Sequence, residues 1–434
     1  MNAAQFAAVL HRTYARVALI SWGRCLLFLL VSPLAFGADD QPLSLEAAVD
    51  QALKETPQVA ASVAMVEAAQ AGAPSAGRLP DPELVTGVDN LPINTADRFS
   101  LTRDFMTMRK IGVMQTFPNH ERRRLQSERA ERAVDLAQAE LRKTRFETAR
   151  AVAEAWIARA VAEESLARLR ELKPETDLQA MAGRAALASG RASAAEALGT
   201  QMLVAGLEER MLAFEQDAEM KRAELSRWIG EAANRPLAAI PTDRELELSM
   251  ESLVAAVPEH APLAPLVAQI AAAQTDVELA RAERRPDWST ELSYAKRGPD
   301  FSDMVSLEFR VGLPLFPKNR QNPMIAEKLA TVRAQEAMRD AEVRMHTAEV
   351  QSTLAEWRRG RERLQHYSSD LVPLAHDRSR AALASYSAGR GDLRGAIDAL
   401  TQEIETQLNY VQLEGSVARA WVFLHLLHDS RTPQ

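Results

Sequence analysis

His425 and His428 lie three residues apart near the C-terminus, and imidazoles so spaced on one helix face can share a metal ion. A packing face has the same spacing and is the simpler reading. Met106, Met108 and Met114 in "DFMTMRKIGVM" offer three soft thioethers, a set that could pass a soft metal along a strand. Methionine also suits a membrane-facing or packed strand surface, with no metal involved. No other arrangement of reactive side chains stands out. There is no P-loop, no His-Glu-x-x-His, no Gly-x-Ser-x-Gly and no cysteine cluster. We therefore expect no enzyme, no catalytic residue, no cofactor and no resident metal.

The elements that must position these residues come from a chain built twice. "VGLPLFPKNRQ" at Val311–Gln321 echoes "IGVMQTFPNHERR" at Ile111–Arg123. Phe117-Pro118 recurs as Phe316-Pro317, Pro174 as Pro373, and Gly190-Arg191 as Gly389-Arg390, each at an offset of 199. Three landmarks sharing one offset mark an internal duplication. Pro80-Asp81 matches Pro286-Asp287 at 206, which puts seven extra residues of the first copy in a loop around "NLPINTADRF". Each copy reads as helix, Pro-Asp stop, β-hairpin, very long helix, Gly-Arg turn and returning helix. The first repeat is expected at 38–235, with its hairpin at about 80–118 and long helices at about 119–230. The second is expected at 236–434, with its hairpin at about 286–317 and long helices at about 318–428. Two prolines in "NRPLAAIPTDRELEL" mark the join.

The hairpins have two faces. Val305, Leu307, Phe309, Val311, Leu313 and Leu315 alternate with Ser306, Glu308, Arg310, Gly312 and Pro314. Trp288, Thr290, Leu292 and Tyr294 alternate in the same way with polar or small residues. Leu84, Thr86 and Val88 share a face, as do Ile111 and Val113. Period two gives one apolar and one polar face, in a membrane barrel or a half-buried soluble sheet alike. An isolated hairpin is only marginally stable, and four strands are too few to close a barrel. Three chains sharing one barrel would remove every open edge with twelve strands.

The helical segments are long. Glu121 to Ser189 would span roughly 100 Å as one helix. On the returning helix Leu203, Leu207, Met211, Phe214, Ala218, Leu225 and Trp228 form a packing seam. Pro174 and Pro373 are expected to kink the outgoing helices. Away from the N-terminus no apolar run approaches the length of a membrane helix, so any membrane entry is expected through strands.

The N-terminus reads as a secretory signal at 1–37. Arg12, Arg16 and Arg24 precede or flank an apolar core at Cys25–Phe36, with cleavage expected before Ala38. Cys25 is the only cysteine, and Gly23-Arg24 before it do not fit a lipid-attachment site. Losing three arginines and no acids would take the net charge from −7 to −10, unsuited to binding nucleic acid.

Signal, duplicated unit, and Phe-Pro at both strand-to-helix junctions (Phe117, Pro118, Phe316, Pro317) together resemble the TolC family of outer-membrane efflux proteins. The resemblance covers Asp40–Asp429. It implies an α+β membrane protein, a homotrimer whose four strands per chain form a 12-stranded β-barrel continued by a periplasmic α-helical barrel. Such a protein is a passive exit duct in the outer membrane of a Gram-negative bacterium. It contacts outer-membrane lipid and is joined through a periplasmic membrane-fusion adaptor to an inner-membrane RND pump. "RLPDPELVTGVDNLPI", "FSLTRDFMTMRKIGVMQTFP" and "AERRPDWSTELSY" are similar to the heavy-metal, CzcC-like subgroup, which implies divalent cations as cargo. Drugs, organic toxins or a secreted polypeptide are alternative cargoes, and a soluble periplasmic helical protein is the alternative of another class. By the same resemblance Gly190, Arg191, Gly389 and Arg390 form the periplasmic tip that docks the adaptor. Asp398 matches one aspartate of the family's periplasmic constriction, whose companion position here is Gly395. The other reading of Asp398 is an exposed helix acid. Many relatives tether a lipidated cysteine that is missing here.

Overall fold

A computed structural model describes residues 41–429 apart from 95, 243 and 246–249. The expected signal segment, Cys25 and the cleavage site before Ala38 lie outside the described residues. The chain begins with two short helices, α1 (Leu45–Glu55) and α2 (Pro57–Gly72). Strands β1 (Glu83–Asp89) and β2 (Met108–Phe117) follow, then α3 (His120–Ala188) and α4 (Ala194–Ile229). The second half gives α5 (Met250–Ala256), α6 (Ala264–Ala282), β3 (Trp288–Lys296) and β4 (Met304–Val311). It closes with α7 (Gln321–His366), α8 (Val372–Ser387) and α9 (Leu393–Asp429). The order helix, hairpin, long helices thus occurs twice.

The hairpins are not isolated, contrary to expectation. β2 pairs with β3 over nine residues, from Arg109↔Lys296 to Phe117↔Trp288, giving one antiparallel sheet in the order β1-β2-β3-β4. Pairing the two inner edges satisfies backbone groups that each hairpin alone would leave open. β1 and β4 remain as the two outer edges. β4 stops at Val311, short of the alternation that continues to Leu315, because Val311 pairs with Trp288, the first residue of β3, and only the Gly312 amide reaches on to the Asp287 carbonyl at 3.0 Å. The extra length of the first copy falls between β1 and β2, whose 18-residue connection exceeds the seven residues between β3 and β4.

At 69 residues, α3 is about 100 Å long. Its start is capped by Asn119, whose side chain accepts from the Arg122 amide at 2.8 Å. The two prolines differ from each other. Pro174 sits inside an unbroken helix, whereas a π-turn at Tyr367–Leu371 precedes Pro373 and separates α7 from α8. The wider turn relieves the clash of the proline ring with the carbonyl one turn back.

The main core packs Leu45, Trp156, Leu225, Leu354, Val417 and Leu424 around the middle of the helices. A smaller core of Leu169, Leu172, Leu207, Leu400 and Ile404 extends it toward the turns, with Leu203, Met211 and Phe214 packed against it as the seam predicts. Buried Arg159 ties the join between repeats to α3, donating to the Ala233 and Arg235 carbonyls. Leu43 is stitched beside Leu237 by backbone bonds of 2.8 and 3.0 Å. One stretch is more apolar than the sequence reading allowed. Glu251–Ala282 has the length and composition of a membrane span, yet it is broken by 3-10 turns at Pro258 and Pro262 and partly packed in the core.

Candidate functional site

Strand register sorts the sheet into two faces. One carries the row Leu84, Val113, Leu292, Leu307 and, above it, Thr86, Ile111, Tyr294, Val305. Below lie Gln115, Thr290, Phe309, and then Phe117, Trp288, Val311. These apolar side chains are open: Leu84 is 70% exposed, Leu307 60% and Phe309 64%. An apolar face of this extent needs a cover, and hydrocarbon supplies it without a second sheet. From Trp288 to Lys296 the band measures about 27 Å along the strand, or about 20 Å when tilted, the scale of a thin bilayer core. Phe117 stacks on Trp288 with ring centroids 4.1 Å apart, an aromatic pair at the helix end of the band.

The opposite face is polar and carries a charge network that sequence reasoning did not assemble. Glu83, Met114, Glu291 and Glu308 form one row across the four strands. Glu291 and Glu308 face each other directly, a repulsive pairing by itself. Arg310 bridges them, at 2.9 Å from Glu291 and 2.8 Å from Glu308, and Lys110 reaches Glu291 at 3.1 Å. Asp89 lies 3.8 Å from Lys110. Four carboxylates (Asp89, Glu83, Glu291, Glu308) against two cations leave this face with two negative charges per chain. The alternation showed Glu291, Glu308 and Arg310 sharing a face; only the register of β2 against β3 brings Lys110 to them.

β2 and β3 approach closely at Gly112. A Cβ there would lie 2.6 Å from the Ser293 Cβ and 2.8 Å from the Leu292 carbonyl oxygen, so the seam between repeats closes only around glycine. Below the seam, Asp287 of the second Pro-Asp accepts from the Asn119 amide at 2.8 Å and pairs with Arg122 at 2.7 Å. This acid of one repeat thereby fixes the start of α3 in the other. Phe117 and Pro118 sit at that junction. Phe316 and Pro317 occupy the matching one, where Phe316 is 75% exposed.

The two Gly-Arg turns have one geometry. Gly190 and Gly389 both have φ of 70°. The Gly190 amide donates to the Leu187 carbonyl at 3.0 Å and the Arg191 amide to Ala186 at 2.8 Å. Gly389 and Arg390 repeat the pattern on Tyr386 and Ser385 at 2.9 Å each. This is a Schellman C-cap, in which glycine takes the left-handed position. Ser193 then opens α4 through a capping box with Glu196, and Asp392 takes the corresponding place before α9, bonding the Gly395 amide at 3.1 Å. The Ser193 amide and hydroxyl hold the Glu196 carboxyl below the usual carboxylate range. Around both glycines a side chain would meet open space.

Asp398 is exposed on α9, one turn from Gly395, near the turn end of the helices. His425 stacks on Trp421 with centroids 4.7 Å apart, in keeping with a packing role. His428 follows on the same helix. Met108 and Met114 share the polar face, Met106 lies in the β1–β2 connection, and the Met114 sulfur faces Arg310 at 3.2 Å. Among the described residues no group of three His, Cys, Asp or Glu side chains is arranged to hold a metal. Above the tip, Glu403 is 1% exposed, and its Oε1 lies 2.7 Å from His376 Nδ1. Burial and the Glu403 charge push the neighbouring Glu175 carboxyl up, against the pull of His376 and Arg380.

Long helices continuing a strand sheet with one lipid-type face define a subunit of an outer-membrane barrel that reaches into the periplasm. The outer membrane efflux protein family matches residues 48–231 and 256–428, and the chain belongs to that family. Each matched stretch contains one helix–hairpin–helix-pair unit. The fold is similar to that of the CmeC outer membrane channel of Campylobacter jejuni, at a TM-score of 0.76 and 12% identity over 90% of this chain and 86% of that one. VceC of Vibrio cholerae matches at 0.73 and 17% identity over 88% of this chain and 95% of that one. The MtrE channel of Neisseria gonorrhoeae matches at 0.71 and 15%, covering 88% of each chain. A search of curated sequences finds no match. The chain is an outer-membrane efflux channel and not an enzyme, which removes the soluble helical reading. Its helices lie on the periplasmic side, so the hairpin connections face the cell exterior.

Proposed function

We propose that this channel works as a homotrimer, the passive exit duct of a tripartite RND-type system that exports divalent heavy-metal cations. The carrying observation is a four-stranded sheet with an exposed apolar face and two unpaired edges, β1 and β4. The two edge strands run antiparallel to each other, so the β4 of one chain can pair with the β1 of the next. Three copies then close twelve strands, with the apolar face outward and the charge network inward. Six net negative charges in that lumen would favour cations over anions, which supports a cation cargo.

The Gly190-Arg191 and Gly389-Arg390 turns are the surfaces proposed for the periplasmic adaptor, which links the duct to the inner-membrane pump. Both turns are exposed, share one geometry and present arginine. Asp398 is proposed to line the periplasmic constriction. Deleting the gene and testing the strain against divalent metals and a drug panel checks the cargo. Sensitivity to zinc, cobalt or cadmium alone is the expected result; sensitivity confined to drugs would move the cargo to organic compounds.

A further inference from the structure

Arg109 on β2 and Lys296 on β3 are register partners, so two like charges stand directly opposite each other. They lie on the lipid-facing side, in the row above Ile111, Tyr294 and Val305, at the end of the sheet that faces the exterior. Like charges in this position repel, and the sheet's other like pair shows how the protein handles that. Glu291 and Glu308 on the polar face are bridged by Arg310 and Lys110. Arg109 and Lys296 have no such bridge. Among the described residues neither has a carboxylate at ion-pair distance. Arg109 Nη2 donates only to the Arg297 carbonyl at 3.2 Å, and its Nε has no partner within the protein. Asp303 follows Lys296 in the row; its carboxylate accepts from the Tyr294 hydroxyl, and its charge acts on both Lys296 and Arg109 from beyond ion-pair distance, one carboxylate against two cations.

The surroundings hold these cations in place. Arg297 donates to the Ser302 carbonyl at 2.7 Å and to Phe105 at 3.4 Å, tying the two exterior connections together. Gly298 backs onto the Thr102 carbonyl so closely that a Cβ would overlap it. Directly below the charges Val305 is 71% exposed and Tyr294 43% exposed, apolar surface at the depth of acyl chains.

We propose that Arg109 and Lys296 form a binding site for the phosphate of an anionic, acylated lipid in the outer leaflet. A guanidinium and an ammonium side by side match a phosphate, the guanidinium in bidentate fashion. The exposed Tyr294 and Val305 take the first carbons of the acyl chains. A headgroup phosphate here supplies the second negative charge to two cations that share only the more distant Asp303 carboxylate. The site rests on the outer-membrane setting and not on the cargo, adaptor or trimer proposed above.

The test uses purified protein in detergent and the double variant Arg109→Gln/Lys296→Gln. Native mass spectrometry measures retention of bisphosphorylated lipid A, its phosphate-free form, and phosphatidylcholine. Thermal melting is recorded with and without each lipid, because a ligand that binds only the folded state raises Tm. The parent should retain bisphosphorylated lipid A at least tenfold more than the phosphate-free form and melt higher in its presence. The double variant should lose both effects while keeping the parent's Tm without lipid, since the repulsion it sheds and the attraction to Asp303 it loses oppose each other. Millimolar inorganic phosphate should not displace the lipid, which separates a lipid headgroup from a free anion. Equal retention by parent and variant, equal retention of the phosphate-free lipid, or displacement by inorganic phosphate would overturn the proposal. Should the double variant fail to fold, Lys296→Gln alone decides: it must lower retention, and unchanged retention refutes the site.

Discussion

Leu307 and Ser306 are neighbours on the edge strand β4, and both side chains are open in the single chain. Burial within the subunit therefore predicts that arginine is tolerated equally at either position. Opposite faces predict otherwise. Leu307 stands in the row with Leu84, Val113 and Leu292, four residues from each end of the Trp288–Lys296 band, hence about 13 Å along the strand from either margin. Arginine on the lipid side at that depth costs about 2–4 kcal/mol per chain. Since every 1.4 kcal/mol is a factor of ten, even one chain's cost lowers the equilibrium constant for assembly more than tenfold, and three chains multiply the effect. Ser306→Arg adds a cation to a water-filled lumen and carries no such penalty. Outer-membrane fractionation with heat-modified gel mobility reads assembly directly. Leu307→Arg should vanish from the assembled band, and Ser306→Arg should remain with reduced cation preference. Equal assembly of the two variants would refute the assignment of faces.

Gly112→Val places a side chain where none fits and should lower Tm through an overpacking cost of about 1–3 kcal/mol, with β2 and β3 separating first in hydrogen exchange. Bulky replacement at Gly190 or Gly389 costs about 1–2 kcal/mol at positive φ, so the channel should still assemble while efflux and adaptor crosslinking fall. Asp398→Ala should change conductance or cation preference in planar bilayers without losing adaptor crosslinking; parental conductance across salt and pH would remove it from the constriction. Glu175 has a raised carboxyl pKa, so the folded state holds its proton at a pH where the unfolded chain has released it. Stability from this group is therefore full below the ordinary carboxylate pKa and lost as pH rises through the raised value. Glu175→Gln should melt higher than the parent at pH 7, and the gain should disappear near pH 4, where the parent's carboxyl is protonated.

Much of this architecture is legible in the chain. The 199-residue offset places both hairpins, both long-helix pairs and both Gly-Arg turns, because glycine and proline act locally and keep their meaning wherever the chain goes. The period-two pattern likewise separates Leu307 from Ser306 before any contact is known. Pairing between hairpins is a different matter. β2 and β3 are about 170 residues apart, and strict alternation fixes which way a side chain faces without fixing the strand beside it. For that reason the hairpins read as isolated, and the bridging of Glu291 by Lys110 and Arg310 stayed hidden. Pro174 and Pro373 are alike in sequence, yet only the second follows a π-turn, so the outcome depends on packing around each helix.

One chain cannot close this four-stranded sheet. Native mass spectrometry of the purified channel in mild detergent measures that directly. The expected species has three times the chain mass and dissociates only on unfolding. A stable, folded monomer retaining its strand content would contradict the shared twelve-stranded barrel.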